Sequence, residues 1–320
     1  MRIKLLFLYI VSVALFISCG VKQLVKGEFY LSNEKYNDGI HSFERELRKN
    51  PYDPRINYYL GRFYLGNNQP KEGLAYIKKA TELDPANANF QFWLGIAYSA
   101  NKQQNLEWRC YEKALALNPN HLNTRIYLAH TQMERKQYKA ALKNYSFVLK
   151  KWPDESASLY NYALALNKLK RTEEERVAWK EYLDFYPTGP MARNAVFNLN
   201  SLGDFSYRNH LIGLRTITLR KIQFKPLTEK LTKNSEESLK FLGEVLKNTK
   251  NISIYIVAYQ KNNNELAKHK TKSIRNYLLK RFPELKSSML KMSWFDVSET
   301  IKIGKKKFSR DESVNFITAT

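Results

Sequence analysis

The chain has 320 residues, 43% of them hydrophobic, with 53 lysines and arginines against 30 aspartates and glutamates, a formal net charge of +23. That length leaves room for two or three domains, and the apolar fraction is ordinary for a globular protein, which excludes a wholly disordered chain. The excess of positive charge is shared unevenly: residues 217–320 hold 22 basic and 10 acidic side chains, about twice the charge density of the remainder. At the N-terminus, Arg2 and Lys4 precede an apolar run from Leu5 to Ile17 broken only by Ser12, followed by Phe16-Ile17-Ser18-Cys19-Gly20. A basic start, a dozen apolar residues and a small residue before the cut describe an export signal over residues 1–18. The run is too short to cross a membrane comfortably. Export sets nucleic acid aside as a partner for so basic a chain and leaves anionic headgroups, wall polymers or acidic protein faces.

A ladder follows. Pro51, Pro85, Pro119, Pro153 and Pro187 stand 34 residues apart, the length of a helix–turn–helix repeat. In the same register come the small residues Gly27, Gly61, Gly95, Ala129 and Ala163, where helix backbones can approach closely. Three residues on are Tyr30, Tyr64, Tyr98, Gln132 and Leu166. Phe43, Ile77, Tyr111, Tyr145 and Trp179, eight before each proline, are expected to fill the gap between paired helices. The runs Phe92-Trp93-Leu94-Gly95-Ile96-Ala97-Tyr98, Tyr111-Glu112-Lys113-Ala114-Leu115 and Asn118-Pro119 resemble the tetratricopeptide repeat (TPR). The resemblance covers residues 20–187 and implies an all-α solenoid of five repeats. Met191–Leu202 reads as a capping helix stopped at Gly203, which closes a solenoid domain at residue 202. The cysteine directly after Ser18 resembles a bacterial lipobox. The likeness implies cleavage before Cys19 and acylation there, and, with Gly20 next, an outer-membrane lipoprotein facing the periplasm. Cys110, left without a partner, reads as a buried free thiol.

Residues 203–216 lack a clean period and read as a linker. Beyond it the expected elements are a strand over Thr216–Phe224, a helix from Asn234 or Ser235 to Asn248, a strand over Ile252–Tyr259, and a helix over Glu265–Phe282. Strands over Leu290–Phe295 and Ser313–Thr318 complete an α+β region spanning 217–320. Ile222-Gln223-Phe224, Leu239–Leu246, Ile252–Ala258 and Ser273–Leu278 in this order resemble the OmpA-like domain, which grips peptidoglycan. The chain departs from that family where ligand is held. The family's Gly-His-Thr-Asp falls on Ala258, Tyr259, Gln260 and Lys261, its helical Arg on Lys270, and its paired arginines on Glu312 and Ser313. Lys in place of Asp reverses the charge that faces an ammonium group, and Lys in place of Arg loses a bidentate fork.

Counting in register along the first helix of each repeat gives two rows expected to line a protein-binding groove: Tyr58, Phe92, Ile126 and Tyr160, then Arg62, Ile96, His130 and Leu164. Such rows suit an amphipathic helix or an extended peptide from an envelope protein. Lys302, Lys305, Lys306, Lys307 and Arg310 form a basic patch suited to anionic lipid or wall polymer. His41, His121, His130, His210 and His269 are scattered, without metal-ligand spacing, and no phosphate-binding glycine loop is present. No catalytic residue, metal or cofactor is expected beyond a covalent lipid on Cys19. The sequence thus describes a lipid-anchored envelope scaffold. A peptidoglycan-binding lipoprotein that links outer membrane to cell wall is the alternative.

Overall fold

The structure, a computed structural model, describes residues 22–249 and 252–319; the expected export signal over residues 1–18 and Cys19 lie outside them. The chain divides into two compact units, one ending at Val148 and the other beginning at Leu149.

The first unit is helical. It holds α1 (residues 22–32), α2 (Tyr36–Lys49), α3 (Pro54–Gly66), α4 (Pro70–Leu83), α5 (Ala88–Ala100), α6 (Gln104–Leu117), α7 (Leu122–Glu134) and most of α8 (Tyr138–Lys151). The second unit continues the pairs with α9 (Ser156–Lys168) and α10 (Thr172–Phe185), then α11 (Gly189–Ser201). Each proline of the ladder sits between one helix pair and the next. Two residues past a proline, a side chain caps the next helix: Asp53 accepts from the Arg55 amide at 2.8 Å, Asn87 from those of Asn89 and Phe90, His121 from that of Thr124, and Glu155 from those of Ala157 and Ser158. These bonds satisfy donors that the first helical turn leaves open.

The turn inside each pair is built differently. Glu34, Asn68, Lys102, Lys136 and Lys170 all take a left-handed backbone, with φ between 55° and 60°. The amide of the following residue donates back to a carbonyl in the last helical turn, as from Gln69 to Tyr64 at 2.8 Å and from Gln103 to Tyr98 at 2.9 Å. This is the Schellman stop, which uses backbone alone. Between the helices, Phe43, Ile77, Tyr111, Tyr145 and Trp179 are fully buried. A side chain on Gly95 would meet the Tyr111 ring at 2.3 Å, and one on Gly61 would meet Ile77 at 2.4 Å, so the small-residue ladder admits those side chains. Gly27 breaks the pattern by facing Tyr59 of the following pair.

After α11, the second unit turns to strands: β1 (Tyr207–Ile212), β2 (Arg215–Arg220), α12 (Lys233–Lys247), β3 (Ile254–Gln260), α13 (Asn264–Arg281), β4 (Leu290–Phe295), β5 (Glu299–Ile303), β6 (Lys306–Arg310) and β7 (Glu312–Thr318). β3 is central, parallel to β4 and antiparallel to β7, with Ile256 opposite Met292 and Phe316. Helix α13 makes the crossover from β3 to β4. Its Ala267, Ile274 and Leu278 join Leu239, Leu242 and Leu246 of α12 in the core.

Two expectations are corrected. The stretch 203–216 is not a linker: β1 pairs with β2 from Tyr207↔Arg220 to Ile212↔Arg215. Its alternation is hidden because a histidine, His210, fills a core position. The capping helix is corrected in part: α11 does close on α10, but its other side is not left to solvent, since it packs on β1 and β2 and Asn200 Nδ2 donates to the Tyr207 carbonyl at 2.8 Å. Between β4 and β7 the chain also inserts a β5–β6 hairpin, where the sequence shows only a run of lysines.

Candidate functional site

Row by row, the first-helix residues divide. Tyr58, Phe92 and Ile126 are each no more than 6% exposed, so they do not line an open groove. Rings of the following repeat cover the first two. Tyr58 lies 4.9 Å from the Phe90 ring, and Phe92 lies 5.3 Å from both His121 and Tyr127. Burial pushes the Tyr58 hydroxyl above its ordinary pKa, and that hydroxyl accepts from Asn89 and Arg62 at 3.0 Å. In the second row, Arg62, Ile96 and His130 are half-buried. Arg62 stacks 4.5 Å over Trp93 and pairs with Glu28 at 2.8 Å, which fixes its guanidinium against the surface. The ring of His130 stands 5.9 Å from Tyr127 and 5.8 Å from Tyr145. In the second unit, Tyr160 and Leu164 are half-buried, with Tyr160 edge-on to Trp179 and Tyr182.

The outward strip therefore joins Ile96 of the second expected row to Trp93 and Tyr127, each one residue past the first row. Trp93 and Ile96 pack over the buried cluster of Phe92, Tyr111, Ala114 and Leu128, and Tyr127, 44% exposed, leans on Phe92 and Tyr111. The sequence holds a sign of this. Tyr58, Phe92 and Ile126 are each followed by an aromatic residue, so the apolar stripe is wider than one row, and periodicity does not say which edge faces out.

In the second unit, of the two lysines that the OmpA-like resemblance sets at ligand positions, Lys270 is closed off and Lys261 is open. Lys270 is only 2% exposed; its Nζ donates to Gln260 Oε1 at 2.6 Å and pairs with Glu312 Oε1 at 3.1 Å over the Phe224 ring. A buried ammonium needs such partners, and they leave it no free donor aimed at solvent. Lys261 is exposed and stands 3.7 Å from Asp311. The basic patch also separates. Lys302, Lys305, Lys306 and Lys307 are exposed on the β5–β6 hairpin, with Lys302 directly across from Lys307, while Arg310 is half-buried and turned toward Phe205.

At the start of β5, Glu299 takes a bidentate pair from Arg208 at 2.8 and 3.0 Å and a bond from Asn315 at 2.6 Å. Burial pushes its pKa up, but these donors outweigh burial and hold it low. Cys110 is a free, buried thiol whose pKa burial raises to about 11. Among the described residues, no group of three or more His, Cys, Asp or Glu side chains is placed to hold a metal ion, and no helix is long and apolar enough to cross a membrane.

With the helix pairs, caps and packed small residues on view, the class is that of a helical-repeat protein. A family model described as "Tetratricopeptide repeat" matches residues 24–88 and 127–190, so these stretches carry tetratricopeptide repeats. Comparison with curated proteins found no match. Among solved structures, the chain is similar to "Crystal structure of MamA" (18% identity, 50% of this chain and 93% of that one, TM-score 0.45). It is also similar to "Crystal structure of YrrB: a TPR protein with an unusual peptide-binding site" (18%, 53% and 87%, TM-score 0.45). A third is MamA from Desulfovibrio magneticus RS-1 (21%, 47% and 83%, TM-score 0.43).

Proposed function

We propose that this chain is a lipid-anchored scaffold of a bacterial cell envelope. Its repeat region holds a peptide or helical segment of an envelope protein. Its C-terminal region, a divergent OmpA-like domain, docks to a second envelope component. One observation carries the binding role: Trp93, Ile96 and Tyr127 present apolar surface on the first helices of their repeats, backed by a closed core that holds them in place. Rigid aromatic side chains cost little entropy when a partner covers them. The anchor rests on Ser18-Cys19-Gly20, and two or three acyl chains at Cys19 make stable attachment.

The test is cross-linking and affinity capture from envelope membranes. Ile96→Glu with Tyr127→Ala is expected to reduce the captured partner at least tenfold and leave the thermal melt nearly in place. Capture that survives both changes overturns the role of this strip. Palmitate labelling of the wild type and its loss in Cys19→Ser check the anchor. The alternative, a lipoprotein that grips peptidoglycan, has Lys270 against it, since that side chain is engaged by Gln260 and Glu312. Salt-resistant pelleting of the Cys19→Ser chain with purified peptidoglycan would restore that alternative.

A further inference from the structure

A recess lies wholly within the second unit, between α10, the turn after α11, the end of β2 and the end of β6. Its volume is about 540 Å³, within the range of small-molecule sites. Five cations line it, Arg176, Lys180, Arg220, Lys221 and Arg310, against two carboxylates, Asp184 and Asp204.

The partners of these groups decide what the recess can hold. Asp184 is already taken by Arg220 and by the Tyr207 hydroxyl at 2.6 Å. Asp204 accepts from the Ser206 amide at 2.8 Å and faces Lys180 at 4.0 Å. Arg176 turns to Glu173 and to the Leu202 carbonyl. Lys221 and Arg310 are left over: both are half-buried, and neither forms a salt bridge with a described residue. They also repel each other. Burial first, then the charge of Arg310, push the Lys221 pKa down; Glu312, already paired with Lys270, opposes the shift, and Lys270 adds to it. Two cations without a salt-bridge partner lining one recess are costly in the empty state and matched to an anion in the filled state.

We propose that this recess binds a small polyanion bearing at least two phosphate or carboxylate groups, with Arg310 and Lys221 as its charge contacts. The guanidinium of Arg310 offers the planar fork that an oxyanion accepts in bidentate fashion, and the Lys221 ammonium supplies a point charge beside it. The site is separate from the exposed lysines of the β5–β6 hairpin and from Lys261 and Lys270.

The test is thermal unfolding of the intact chain in inorganic pyrophosphate, in citrate and in sodium chloride, all at matched ionic strength. A ligand that binds only the folded state raises the melting temperature in a saturable way. The expected result is a saturable rise with pyrophosphate or citrate and none with chloride; whichever of the two binds tighter assigns the phosphate or the carboxylate class. Lys221→Gln with Arg310→Gln is expected to weaken that binding at least tenfold. Lys306→Gln with Lys307→Gln, which removes the same charge from the hairpin, is expected to change it less than twofold. A wild-type chain that shows no saturable rise overturns the proposal whatever the variants do, as does equal weakening by the two pairs of substitutions.

Discussion

Single residues show how far a pattern of residue types goes and where it stops. Phe92 and Tyr127 are both aromatic residues of first helices, and their rings touch, yet one is 4% exposed and the other 44%. Phe92→Ala is expected to cost about 3–5 kcal/mol, as for a core aromatic, and Tyr127→Ala about 1 kcal/mol or less; urea denaturation separates them. His210 gives a prediction in pH. It is buried, its Nδ1 accepts from the Phe316 amide, and burial, aided by Arg208, lowers its pKa to about 3 while Glu299 opposes the shift. The unfolded chain therefore takes up a proton near pH 6.5 that the folded chain refuses. Stability is full above that value and lost as pH falls toward 3, at up to about 1.4 kcal/mol per pH unit. Between pH 6.5 and 5, the wild type is expected to lose about 2 kcal/mol more than His210→Gln, read from denaturation midpoints. Glu299 adds to the acid loss, because its pairing with Arg208 fails once the carboxylate is protonated.

Whole elements are legible where a rule of spacing holds. The proline ladder and the small-residue ladder mark the helix pairs, and the alternating apolar runs mark β3 and β4 to within two residues. Where one residue does two jobs the pattern vanishes: His210 in the core hides β1, and Lys302, Lys306 and Lys307 on the open face of a hairpin hide β5 and β6. The second ladder is invisible too. A left-handed residue usually announces itself as glycine, but the five turns hold Glu34, Asn68, Lys102, Lys136 and Lys170. Replacement of Lys102 by Gly and by Val gives a direct test. The glycine variant is expected to be the more stable by at least about 1 kcal/mol, since a β-branched residue is strained at this φ. Asn87→Ala is expected to cost about 1 kcal/mol through its lost cap. Both are read from chemical denaturation.

At the scale of the molecule, the informative feature is that the repeat helices do not end as a free-standing domain. Tyr207 of β1 bonds Asp184 of α10, Asn200 of α11 bonds the β1 backbone, and the second unit includes the last helix pair together with the sheet. A chain cut after Leu202, the boundary suggested by the repeats, is expected to expose Val196 and Leu199. Amides of α10 and α11 should then exchange with deuterium much faster than in the whole chain, while those of α3 and α4 keep their protection. Unchanged protection of α11 would separate the helices from the sheet after all. The left-handed turns also have a practical consequence. All five of their side chains are exposed, and their stops are made by backbone hydrogen bonds, so each is a handle spaced evenly along the chain. Cys110 is buried, and its thiol is held to a pKa of about 11. In the Cys19→Ser chain, a cysteine introduced by Lys102→Cys, or by Asn68→Cys one pair earlier, is therefore open to a thiol-directed fluorophore that Cys110 resists. Dyes mounted this way would turn the repeat into a ruler for measuring how the helix pairs flex when the proposed partner is added.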